Sequence, residues 1–475
     1  MDIILLILQV AVLLGAIFLG IRLGGMAIGY AGGFGVVVLC LVLGMKPGDI
    51  PWDVILIIMS VIAAIAAMQL AGGLDYMVQV AEKILRKNPK HINYLAPTVT
   101  YFLTFLAGTG HTAFSMIPVI VEVAKEQNIK PSAPLSIAVV SSQIAITASP
   151  VSAAVVYMSG ALEPFGWSYP GLLGIWLITT FCAVMLTAFI VSKFFPLDLS
   201  KDPIYQERLK AGLVKPSVGA SNMQLKKGAK LSVGIFLGGV VLVVLYATSI
   251  SDIVRKPFLD FLSGIIANSN GEGFMASVAT FMKGYIDPVR LPRDGAIMSF
   301  MLGIAALIAI FCKVETGKLF EASTFKAGMT ACVCVLGVAW LGNTFVAGYK
   351  QQIGDLAGAL VGDYPALLAV ALFFASMLLY SQAATAKAIM PVVIGALGIS
   401  AVNPGDSYIL VASFAAVSAL FVLPTYPTLL GAVQMDDTGS TRIGKYVFNH
   451  SFLIPGVVAV ALSVALGFVV APIFA

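Results

Sequence analysis

The sequence predicts an all-α polytopic membrane protein. It is built from two inverted repeats of five spans, each with a re-entrant helical hairpin and a broken helix. Three observations carry that expectation. Apolar residues make up 59% of the 475-residue chain and charged residues 11%, against roughly 45–50% and about 25% in soluble domains; mean hydropathy is +0.98. The apolar residues form continuous runs, not the alternating segments of about ten residues that mark an outer-membrane barrel. Two short, polar-tipped segments, far apart in the chain, also overlay without a gap.

Ten apolar runs are candidate spans: 3–20, 26–44, 53–71, 132–160, 169–195, 231–250, 294–312, 324–342, 405–433 and 447–471. The first lacks a basic flank and a cleavage site, so it reads as a span and not a signal peptide. Two pairs of shorter runs, 93–107 with 112–124 and 364–380 with 385–397, do not reach spanning length. Each arm is roughly 20–25 Å of helix against a hydrocarbon core of about 30 Å. Both pairs therefore read as re-entrant hairpins, about 93–124 and about 364–397. Irregular backbone at that depth requires surrounding protein or a water-filled cavity.

Charge sets the orientation. With the first residue outside, twenty Lys/Arg fall inside and seven outside, and eight of the inside set lie in the loop 193–230. This bias places both termini in the periplasm and the loop 196–230 in the cytoplasm. The net charge of +5 calls for no nucleic-acid partner. The five cysteines, in or at the ends of apolar runs, read as buried small hydrophobes. Asp436 and Asp437 read as a solvated cytoplasmic loop. Glu82 and Arg86 read as a helix-surface pair.

The hairpin tips define the repeat. "GTGHTAFSMIP" (Gly108–Pro118) overlays "SQAATAKAIMP" (Ser381–Pro391), with Thr112 on Thr385, Ala113 on Ala386 and Pro118 on Pro391. Each hairpin follows three spans and an amphipathic segment (74–87 and 343–360), and precedes an apolar run broken by polar residues and proline. These broken helices are about 132–160 and about 405–433. Five crossings per half is an odd number, so the halves are inverted. Residues 1–195 form the first repeat, 196–230 a linker and 231–475 the second repeat.

Tips and breaks expose helix ends and free N–H groups, which favour carboxylates. The hydroxyls of Thr109, Thr112, Thr147, Ser149, Ser381, Thr385 and Thr425 can donate to carboxylate oxygens or help ligate a cation. Gly110 lets a ligand approach the backbone, and Tyr426 sits beside Thr425 in the second break. His111 can hydrogen-bond a substrate or titrate. Gln143 and Gln382 can supply amide donors. Lys387, which costs about 2.5–3.5 kcal/mol inside a bilayer, needs a partner: an anionic substrate, a role standing in for a coupling cation, or an escape to the interface.

These residues resemble the anaerobic C4-dicarboxylate transporter family, nearer its A-type branch. The matching stretches run from "LGGMAIGYAGG" through "SSQIAITASPVSAAVVYMSG" and "SQAATAKAIMP" to "VLPTYPTLLGAVQMDDTGSTRIGK". "SQAATA" also looks like the "SNTATA" hairpin signature of sodium-coupled dicarboxylate carriers of the ion-transporter superfamily, with a departure at Gln382. The resemblance implies an elevator-type architecture of that superfamily, with Ser381 lining the site or facing a cation and Thr385 facing substrate. It implies carriage of fumarate, succinate, malate or aspartate across a bacterial inner membrane by exchange, by cation-coupled uptake, or both.

The alternatives are a carrier for another organic anion, such as citrate or an acylated amino acid, or an anion channel. An enzyme is not expected: no nucleophile motif, metal-ligand cluster or cofactor loop appears, and no resident metal or cofactor is implied. Coupling to Na+ or H+ and assembly as a homodimer stay open at this stage. The partners expected are the dicarboxylate substrate and the lipid bilayer.

Overall fold

The computed structural model describes residues 3–23, 26–214, 224–268, 272–379, 381–424, 426–446 and 448–474. It is helical throughout, with no strand among the described residues. Eight helices among these residues are long and apolar enough to cross a membrane. Two of the ten expected spans differ. The run 26–44 becomes the 16-residue helix Ala27–Val42, which ends in a π-helical turn at Val38–Val42. The run 405–433 divides into Gly405–Phe421 and Pro427–Met435.

The two pairs of short runs form pairs of short helices. Ile92–Ala107 leads through a tight turn at Gly110–Met116 into Ile117–Glu126. Leu367–Leu379 leads into Gln382–Ala396. Each follows an amphipathic helix, Gly73–Lys87 or Lys350–Asp363. Arg86 does more than form a surface pair: it bonds both Glu82 and Glu126, at 2.7 and 2.8 Å, and so ties its helix to the first hairpin. Glu82 is itself buried.

The breaks have a simple backbone cause. Proline has no N–H, so Pro150 denies the carbonyl of Ile146, four residues earlier, its α-helical donor, and that carbonyl takes the Ser149 N–H instead (3.3 Å). The helix Ser132–Ile144 tightens at Ala145–Ala148, opens into extended backbone at Ser149 and Ser152, and restarts as Ala153–Leu162. Pro424 and Pro427 interrupt the other run in the same way.

Elements sort by packing into two groups. The spans Tyr169–Phe194 and Leu453–Phe474 pack on each other and against the hairpins and broken helices. Trp176 donates to Val411 O (3.1 Å) and Trp167 to Ser407 Oγ (2.9 Å), which joins elements from both ends of the chain. The other group is Ile3–Leu23, Ala27–Val42, Trp52–Leu70, Ala229–Ser249, Arg293–Phe311 and Ser323–Gly348, packed on one another. Its tightest crossing is glycine on glycine. A Cβ on Gly32 would sit 2.5 Å from the Gly337 carbonyl carbon.

Cysteine burial follows this packing. Cys332 and Cys334 are buried as expected, whereas Cys182 is exposed on the outer face of its span and Cys40 and Cys312 are half-buried. A span surface faces lipid, where a small apolar side chain needs no protein cover.

The loop after the second broken helix corrects another expectation. Asp436 is buried, and its carboxylate accepts from Thr438 N–H (3.0 Å), Ser440 Oγ (2.9 Å) and Thr441 N–H (2.7 Å). Asp437 pairs with Lys125 at 3.0 Å. The linker helix Pro203–Lys210 docks here: Arg208 Nε donates to Asp437 O (2.8 Å), and Asp202 pairs with Lys130 (2.8 Å). Exposed Asp198 is held down at about 2 by hydrogen bonds from Ser200 and Lys201.

Gly32→Val is expected to cost about 1–3 kcal/mol or more by overpacking a backbone crossing. The check is the yield of monodisperse protein in detergent. Gly33→Val, where nothing lies within 4 Å, should behave as wild type.

Candidate functional site

A cavity of about 340 Å³ opens where the two groups of elements meet. The hairpin tips supply Gly108, Thr109, Ser381, Gln382 and Ala383. The breaks supply Ile146, Ser152, Ala153 and Ala154 on one side, and Leu420, Tyr426 and Pro427 on the other. The opposite wall is mostly apolar, with Ile57, Val61 and Ile62 from Trp52–Leu70 and Ala327, Thr330, Ala331 and Cys334 from Ser323–Gly348. No charged side chain is among the described lining residues.

Three helices among the described residues begin at this cavity: two are capped by serine, and the third, Pro427–Met435, starts at Tyr426 without a side-chain cap. Ser152 Oγ accepts from Val155 N–H (3.2 Å) and Ser381 Oγ from Ala384 N–H (3.2 Å). In each case the cap takes the third amide of the helix. The first two amides have no intrahelical partner, and they belong to Ala153 and Ala154, and to Gln382 and Ala383, all lining residues. Amides with the positive end of a helix dipole behind them form a site for a carboxylate.

The same hydroxyls hold the breaks in shape. Ser152 Oγ donates to Ile146 O (2.7 Å), the carbonyl that Pro150 leaves without an α-helical donor. Tyr169 Oη donates to Pro150 O (2.7 Å). Gln382 Nε2 donates to Gln143 O (2.7 Å) and to Ser418 Oγ (3.0 Å), so the second tip clasps both broken helices. His450 Nε2 meets Val422 O (3.0 Å) at the second break. Gly108 has φ +69°, and a Cβ there would lie 2.8 Å from Val151 Cγ2, so only glycine lets the first tip lie against the first break.

The predicted residues divide. Thr109, Ser381, Gln382 and Tyr426 line the cavity. Gly110 packs just behind it, near Ser142 and Ile146. Thr112, Thr147 and Thr385 are buried outside the lining. Each donates one turn back, to Thr109 O (3.2 Å), Ile144 O (2.7 Å) and Ser381 O (2.7 Å). That pattern is the local back-bonding of hydroxyls in helices. Ser149 is fully buried and its Oγ has no partner. Thr425 and the side chain of His111 lie outside the described residues.

Lys387 does not enter the cavity lining. Its ammonium pairs with Asp53 and lies 5.6 Å from the Tyr157 ring centroid. Sequence reasoning missed Ser152, Ala153, Ala154 and Ala383. A cue existed for the first three: a serine just past a proline, leading an apolar run, marks a helix start.

Comparison with known proteins decides the family. Residues 5–475 match the anaerobic C4-dicarboxylate membrane transporter family. The chain belongs to this family. It is 62% identical over 465 residues to the C4-dicarboxylate transporter DcuA of Helicobacter pylori, covering 98% of each chain. It is 53% identical over 465 residues to the DcuA of Escherichia coli, covering 98% of this chain and 99% of that one. To the anaerobic C4-dicarboxylate transporter DcuB of Escherichia coli it is 35% identical over 476 residues, covering 98% of each. The A-type branch is thus nearer than the B-type. Membership makes this chain a membrane transport protein and not an enzyme. Within this transporter family, the serine-capped helix ends are the part of the fold suited to an anion.

Ser152→Ala removes both the cap and the donor to the Ile146 carbonyl. The expected cost is about 1–3 kcal/mol, seen as a lower thermal-aggregation midpoint in detergent. Ser152→Thr, which keeps a hydroxyl, should recover most of it.

Proposed function

We propose that the protein is a secondary carrier of C4-dicarboxylates such as fumarate, succinate, malate and aspartate in a bacterial inner membrane. One observation carries the proposal at the level of chemistry: two serine-capped helix N-termini open on one cavity. A C4-dicarboxylate has two carboxylates on a short apolar spacer. One carboxylate meets the Ala153–Ala154 amides and the other the Gln382–Ala383 amides. Thr109 and Tyr426 provide polar edges, and the Ile57–Val61 wall accepts the spacer.

With no charged side chain among the described lining residues, the substrate's negative charge is offset by helix ends and by a co-bound Na+ or H+. Exchange for a second dicarboxylate moves no net charge over the full cycle, because the two half-cycles carry like charge in opposite directions.

The order of elements supports two inverted repeats. In each half an amphipathic helix is followed by a hairpin, a broken helix and a long span: Gly73–Lys87 through Tyr169–Phe194, and Lys350–Asp363 through Leu453–Phe474. Thr112 and Thr385, matched in the overlay, both back-bond. Hairpins, broken helices and these two long spans move as one body against the framework of the other six helices, carrying the site across the bilayer as an elevator. With both termini periplasmic, the linker 196–230 is cytoplasmic and follows the moving body, to which Asp202 and Arg208 bind it.

Purified carrier in liposomes loaded with fumarate should take up labelled fumarate by counterflow, in competition with succinate, malate and aspartate but not citrate. Ser381→Ala should raise the KM about ten-fold, the worth of one hydrogen bond to a charged group at the low end. Uptake indifferent to internal fumarate would indicate a pore, and preference for citrate would indicate a different organic anion.

A further inference from the structure

Two charged pairs lie away from the cavity and join the two groups of elements. Asp53, in the first turn of Trp52–Leu70, pairs with Lys387 on the second arm of the second hairpin. Arg293, the first residue of Arg293–Phe311, pairs with Glu163 at 3.0 Å and donates to Ser159 Oγ at 3.2 Å. Ser159 lies on the arm Ala153–Leu162 and Glu163 follows it directly. The arm is held on both sides, because Tyr157 lies under Lys387 and Arg293 lies over Tyr169, at 5.6 and 5.1 Å.

We propose that these two pairs form a latch between the moving body and the framework, closed in this conformation and opened in each transport step. The proposal rests on the sliding body of the preceding subsection. Three features carry it. Both framework residues start spans that enter from the face assigned outside, so the pairs act at one level of the membrane. At the opposite face, no ion pair among the described residues joins the body directly to one of the six framework helices: Lys125–Asp437 lies within the body, Lys130–Asp202 reaches the linker, and Arg86–Glu126 reaches the helix Gly73–Lys87, which packs on both groups. A permanent staple would draw on both faces, whereas a latch for one end state needs only one.

The third feature is that Arg293 sits at a helix start, where the dipole disfavours a cation; its place there is explained by Glu163 and Ser159. An ion pair spans no more than about 4 Å, so a slide of one body along the other by more than that breaks both pairs together. The latch also answers what Lys387 does. It is neither a substrate contact nor a bystander, but the body's half of a contact that must be remade each cycle.

The test uses the full chain with its five native cysteines replaced and D53C/K387C introduced. Oxidation in liposomes should lower fumarate counterflow at least ten-fold, and reductant should restore it. Undiminished exchange by the cross-linked carrier overturns the latch.

A second readout needs no substrate. Spin labels at Lys46 and Ala396, both exposed, should report two distances. D53N and K387Q should each enrich the longer one roughly two- to five-fold, the range set by exposed ion pairs. The exchange D53K/K387D should reverse the shift. A single distance, the same in all variants, overturns the latch. If the distances shift while the unmodified carrier exchanges no dicarboxylate, the latch stands and the substrate assignment falls.

Discussion

A helix crossing an apolar medium must keep every backbone group bonded, and a proline inside it leaves one carbonyl without a donor. Pro150 removes the α-helical donor of Ile146, whose carbonyl takes the Ser149 N–H at 3.3 Å and the Ser152 hydroxyl at 2.7 Å in its place. Much of the site depends on that exchange. The same serine caps the restarted helix, so repairing the carbonyl and aiming two free amides are one event. Tyr169, Gln382 and His450 satisfy carbonyls around the two breaks from other elements. The site is where the backbone is interrupted and the interruptions are bonded from outside.

This arrangement separates recognition from scaffolding. Most polar atoms facing the cavity come from tips and breaks, while the wall across from them is mainly Ile57, Val61, Ile62 and Ala331, with Thr330 beside them. An apolar wall makes few directional bonds to a ligand. Within the framework, by contrast, Ala27–Val42 and Ser323–Gly348 meet backbone to backbone at Gly32 and Gly337.

Much of this was legible in the chain. Continuous apolar runs declared the class, and the two pairs of short runs form pairs of short helices. "TASPVS" and "LPTYP" marked the breaks, because proline and small polar residues are costly inside a span. Side-chain direction was not legible. Thr112, Thr147 and Thr385 turn back onto their own chains, and no spacing rule separates a hydroxyl that back-bonds from one that faces a ligand. Asp436 looked like loop polarity, yet it is buried with four donors from Thr438, Ser440 and Thr441. Cys182 looked buried, yet it lies on a span surface.

"YSQAATAKAIMP" shows where the boundary falls. By itself it determined a polar interruption, a helix start at a serine and a lysine that required a partner, because each follows from local backbone chemistry and the cost of charge in lipid. Only the tertiary structure decided that Gln382 reaches Gln143 and Ser418, 239 and 36 residues away. It also decided that Lys387 turns to Asp53, 334 residues away, instead of to the cavity. The reason is physical: a partner for a polar group is whichever polar atom, backbone or side chain, lies within about 3 Å, and packing sets that.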